Sequence, residues 1–124
     1  MKSKTSSTPD IAARCRAVVV AIEERKGDDL RVLHLAQISS LADYFLICSG
    51  NSGRQVQAIA EGIQERLKAD HVRPRHIEGF KPGRWILLDY GDFVVHVFDR
   101  ETRAFYCLDK LWADAPDVTR EFSS

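Results

Sequence analysis

GRWILLDYGDFVVHVFD, residues Gly83 to Asp99, holds two apolar, β-rich runs around a Gly91-Asp92 pair. A two-residue loop whose first member is Gly supplies the positive φ of a type II′ hairpin turn, and this sets the register of the flanking strands. Tyr90 then faces Phe93, Leu88 faces Val95, and Ile86 faces Val97. Side chains alternate along a strand, so these six share one side, and that side is expected to be core. The other side pairs Asp89 with Val94, Leu87 with His96, and Trp85 with Phe98. Two large aromatics beside a carboxylate and an imidazole make poor dry core and suit a partly exposed surface that meets a partner. Trp85 is the expected anchor, because Trp desolvates a large area with few rotatable bonds. The alternative for Trp85 is packing beneath the last helix.

The rest of the chain supplies the layers around this hairpin. Short IEGF before it reads as an edge strand, and HVRPRH reads as a connector because Pro74 disfavours helix at Arg73. GNSGRQVQAIAEGIQERLKAD places Val56, Ile59, Ile63 and Leu67 on one helical face, with Asn51 or Ser52 as the cap. DYFLICSG is a continuous apolar run, as expected of a strand covered on both faces. LRVLHL alternates as a short strand, and IAARCRAVVVAIEERKG has the spacing of a first helix ending before Gly27. ETRAFYCLDKLW is expected to form one last helix through Phe105, Leu108 and Leu111. Residues 1–9 and 117–124 are expected to be flexible tails around a single α/β domain spanning 10–116.

Bulk composition excludes several classes. In 124 residues, 44% are hydrophobic, enough for one domain with a real core. Lys+Arg and Asp+Glu are both 18, so no overall positive charge favours a phosphate backbone. Cys15, Cys48 and Cys107 are odd in number and lie in apolar surroundings, which suits buried thiols in a reducing, cytoplasmic setting. No apolar run approaches membrane-spanning length, and MKSKTSSTP has no signal-peptide core.

Catalytic chemistry finds little purchase. Asp89 and Asp92 are separated by a turn and do not project from one strand face as a D-x-D metal pair would. His71 and His76 lack further ligands at zinc spacing. His96 with Ser49 or Cys48 is a weak basis for a triad, since a lone strand His is more often structural. GNSGR lacks the spacing of a phosphate-binding loop and is better read as a helix cap. The Arg73/Arg75 loop is expected to make at most minor contact with RNA. No catalytic residue, metal or cofactor is therefore expected.

SLADYFLICSGNSGRQVQAIAEGI, IEGFKPGRWILLDYGDFVVHVF and ETRAFYCLDKLWADAP together closely resemble the ribosomal silencing factor (RsfS, Iojap-like) family, from about Ile11 to Pro116. The chain departs from the family at Asn51, Ser52 and Gly53, where T-S-S or similar is usual. The resemblance implies a mixed β-sheet of about five strands with helices packed mainly on one face. It also implies a relation to nucleotidyltransferases without their carboxylate pair. It further implies a non-enzymatic factor that binds a ribosomal protein on the intersubunit face of the large subunit, blocks joining of the small subunit and represses translation when nutrients are short. A basic ribosomal protein would suit a surface made of Trp85, Leu87, Asp89, His96, Phe98 and Glu78. An exposed apolar face also makes a homodimer of the free chain an expectation. The competing reading is a residual nucleotide-binding or nucleotidyltransferase-like enzyme using GNSGR and Asp89.

Overall fold

In the computed structural model, which describes residues 10–123, the hairpin has the register set by Gly91 and Asp92. Strands β4 (Trp85–Asp89) and β5 (Phe93–Asp99) pair antiparallel, with Trp85 opposite Phe98, Ile86 opposite Val97 and Asp89 opposite Val94. Gly91 has φ +88, a backbone conformation that L side chains avoid. Asp89 Oδ1 accepts the Gly91 N–H at 2.8 Å and braces the turn.

Three more strands extend this pair: β1 (Asp28–His34), β2 (Tyr44–Gly50) and β3 (His76–Glu78). The order is β1-β2-β5-β4-β3, with β2 and β5 parallel and every other pair antiparallel. β2 and β5 are the two most buried strands, which is why their sequences run apolar without strict alternation. Short β3 forms one edge, as IEGF suggested.

Helices α1 (Ile11–Glu24) and α2 (Gly53–Ala69) lie on one face of the sheet. Asp10 caps α1 and Ser52 caps α2, each accepting a backbone N–H three residues on. Val56, Ile59, Ile63 and Leu67 of α2 meet Cys15, Val18 and Ile22 of α1 over Ile86, Leu88, Val95 and Val97. These side chains are fully buried, and the six-residue side of the hairpin contributes to this main core.

The C-terminal quarter departs from expectation in two places. ETRAFYCLDKLW forms two short helices, α3 (Arg100–Tyr106) and α4 (Leu108–Leu111), because Cys107 adopts a left-handed conformation at φ 52 and turns the chain. The break rotates Phe105 and Leu111 outward, to 78% and 72% exposure, and leaves Leu108 facing in. Leu108 joins Leu33, Leu35, Phe45, Ile47, Phe98 and Ala115 in a second, smaller core on the sheet's other face.

Nor is 117–123 a loose tail. Val118 N–H donates to Val32 O at 2.8 Å, and Thr119 Oγ1 accepts the Val32 N–H at 2.9 Å. Helix α5 (Thr119–Phe122) then places Phe122 against Tyr44 in the main core. The segment covers the free edge of β1, satisfying backbone groups that an edge strand otherwise exposes. The expected N-terminal tail, 1–9, lies outside the described residues.

Candidate partner-binding face

The second face of the sheet is only half covered. α3 and α4 shield β1, β2 and the end of β5 and reach β4 only at Trp85, whereas the rest of β4 and β3 carry no layer of comparable packing among the described residues. Cross-strand partners share a face, so Trp85, Leu87 and Asp89 of β4 line up with His76 and Glu78 of β3 on this open half. Trp85, Leu87, Asp89 and Val94 are partly exposed, and His76 and Glu78 are exposed. Four of the six residues expected at the surface are thereby brought together: Trp85, Leu87, Asp89 and Glu78.

The other two are placed differently. Phe98 is fully buried and His96 is 4% exposed. Both belong to β5, a central strand; Phe98 lies in the smaller core with Leu108 of α4, and His96 is enclosed by the rings of Phe45, Phe98 and Trp85. They form the floor beneath Trp85. The Phe98 ring stacks on the indole with centroids 4.9 Å apart, and Trp85 Nε1–H donates to His96 Nδ1 at 3.2 Å. Burial pushes the His96 pKa down to about 4, so the imidazole is neutral at pH 7. Since Nδ1 accepts, the ring proton sits on Nε2, which is buried without a partner among the described residues.

Beside Trp85 the α3 break builds a feature that periodicity did not reveal. Tyr106, 53% exposed, lies 4.9 Å from the indole between centroids, with Phe105 edge-on to it. Trp85, Tyr106, Phe105, Arg84, Glu101 and Gly79 line a groove of about 550 Å³. The FY pair was visible in the sequence, but its exposure depends on the left-handed turn at Cys107, for which no local residue is a signal. Apolar rings clustered with charged neighbours are the composition of a contact surface.

Arg103 pins this arrangement to the sheet. Its Nη1 donates to Ser49 Oγ at 2.8 Å and to Asp29 O at 2.7 Å, while Nε and Nη2 bind both oxygens of Asp109. Burial alone would raise the Asp109 pKa, but the Arg103 hydrogen bonds and charge outweigh it and hold the carboxyl below its usual range.

The groups that a triad would need are engaged elsewhere or face away. Ser49 is buried against Arg103. Cys48 points into the main core on the opposite face, where burial pushes its thiol up to about 12. The GNSGR turn is engaged by protein groups: Ser52 caps α2, Gln55 Oε1 accepts the Asn51 N–H at 2.6 Å, and Asn51 Oδ1 accepts from Arg100 at 2.8 Å. His71 and His76 are both exposed. No helix among the described residues is long and apolar enough to cross a membrane.

Residues 8–124 match the family model described as ribosomal silencing factor during starvation. Over 107 residues the chain is 43% identical to the ribosomal silencing factor RsfS of Bacillus subtilis, covering 86% of this chain and 91% of that protein. It superposes on the crystal structure of protein CV0518 from Chromobacterium violaceum with a TM-score of 0.82 at 35% identity, covering 84% of this chain and 87% of that one. A more distant relative is the mouse mitochondrial assembly of ribosomal large subunit protein 1, 31% identical over 77% of this chain and 43% of that protein. With the family model matched over nearly the whole chain and relatives of this identity and coverage, the chain belongs to the ribosomal silencing factor family.

Proposed function

We propose that the chain binds the large ribosomal subunit through a ribosomal protein on its intersubunit face and sterically blocks joining of the small subunit, repressing translation when nutrients are short. The open half of the second sheet face carries this reading. Trp85 is a rigid, partly exposed aromatic beside Leu87, Tyr106 and Phe105, and Asp89 and Glu78 border it with negative charge. An apolar centre with carboxylates at its rim suits a basic ribosomal protein. The names of the relatives support a ribosomal partner, and that of the mouse protein refers to the large subunit.

Mechanism then needs no bond-making. A bound globule of 14.0 kDa at an intersubunit contact denies that space to the small subunit. The reading includes a minor rRNA contact from the Arg73/Arg75 loop and self-association of the free chain through the same apolar face. Pelleting with purified large subunits, with subunit joining scored in parallel, tests it. Co-sedimentation without added nucleotide and slowed joining are expected. Failure to pellet, or binding to small subunits instead, contradicts the reading.

A further inference from the structure

His96 is an expensive residue for its position. Its imidazole is enclosed by Phe45 at 4.7 Å, Phe98 at 6.2 Å and Trp85 at 6.0 Å between ring centroids. Nε2 has no hydrogen-bond partner among the described residues. A hydrocarbon ring would fill the space with no polar atom to desolvate, so packing alone gives no reason for an imidazole. The one interaction that only an acceptor can make is the bond from Trp85 Nε1–H to Nδ1.

That bond supplies what stacking cannot. Phe98 lies under the indole at an interplanar angle of 26°, which limits its tilt but is indifferent to which edge points inward. Turning the indole over about its terminal torsion preserves much of the stack and carries the N–H away from His96. The hydrogen bond separates these two orientations, and an anchor held in its bound orientation loses less freedom on association.

We infer that His96 is a positioning residue: through Nδ1 it fixes the Trp85 indole on the floor of the partner-binding face without touching the partner. The inference rests on the partner-binding reading above.

The test compares His96→Phe, which fills the ring site without an acceptor, with His96→Asn, which places Oδ1 near the position of Nδ1 but leaves space unfilled. A purely structural role makes affinity follow stability. Positioning makes the two orders cross: His96→Phe melts at or above wild type but binds large subunits on the order of tenfold more weakly, whereas His96→Asn melts lower and binds more tightly than His96→Phe. Nitrogen-15 NMR of the wild-type protein should show the Nε2–H tautomer and a slowly exchanging Trp85 indole proton that becomes labile in His96→Phe. An Nδ1–H tautomer in wild type overturns the inference, even if His96→Phe fails to fold. So does His96→Phe binding as tightly as wild type. If wild-type protein with the expected tautomer does not bind large subunits, the partner-binding reading itself fails and the positioning role falls with it.

Discussion

Gly79 and Trp85 touch through their backbones: a Cβ built on Gly79 would lie 2.0 Å from the Trp85 carbonyl oxygen. Gly79 also has φ +78, so an L side chain there is strained even before the clash. The obstacle is main chain and cannot rotate aside. Gly79→Ala should therefore cost about 2 kcal/mol or more, from the left-handed backbone and the forced displacement of β4. Denaturant unfolding checks this, and an unchanged midpoint contradicts the close approach that seats Trp85.

Ile86 and Trp85 are neighbours in sequence on opposite faces of the sheet. Ile86 is fully buried in the main core, and Ile86→Ala should cost about 2–5 kcal/mol. Trp85→Ala leaves that core intact and should cost less, although it uncovers Phe98 and leaves Tyr106 without its neighbour. Thermal melts of the two variants decide the order. Equal destabilisation would move Trp85 from the surface into the supporting core.

How far this was legible follows from the range of each signal. The hairpin register could be read because a two-residue turn and a period of two are local facts, and Trp85 was placed on the correct side for that reason. What lay above that side could not be read. Cys107 in a left-handed conformation breaks the last helix, and Cys is not a residue that announces such a turn. The break presses Leu108 onto Phe98 and Ile47, so Phe98 became floor rather than surface. The one available hint was Leu108 and Trp112, spaced four apart on one helical face. Residues 117–123 look loose because their order comes from bonds to Val32, more than 80 positions away in sequence, with Val118 and Phe122 as the apolar clues in an otherwise polar segment.

Acid should weaken the fold through His96. Its pKa falls from an ordinary 6.5 to about 4 on folding, so between those values the unfolded chain binds more protons than the folded one. The contribution is complete above pH 6.5, declines as pH falls towards 4, and levels off below that. The shift corresponds to about 3 kcal/mol as an order of magnitude. Comparing pH–stability curves of wild type and His96→Phe isolates this slope. Parallel curves from pH 7 to 4 would mean that His96 is not buried in its neutral form.

Asp89 holds the hairpin turn with one carboxylate oxygen and faces the open half of the sheet. Asp89→Asn keeps an acceptor for Gly91 N–H, so stability should change by less than about 1 kcal/mol. Removing the charge should weaken large-subunit binding at low ionic strength and matter less as salt screens the contact. Binding isotherms across a salt series check this. Equal affinity for both proteins at every salt concentration removes Asp89 from the contact.

In the proposed function this face, anchored by Trp85, seats the chain where the small subunit must dock. Light scattering of purified subunits during reassociation measures it directly, with wild-type protein or Trp85→Ala preincubated with large subunits. Wild type should suppress joining in proportion to its occupancy, and folded Trp85→Ala should suppress it only at concentrations on the order of thirtyfold higher, equivalent to an anchor contributing about 2 kcal/mol. Wild-type protein that saturates large subunits while joining proceeds at its untreated rate would contradict the claim, as would suppression by Trp85→Ala at wild-type concentrations.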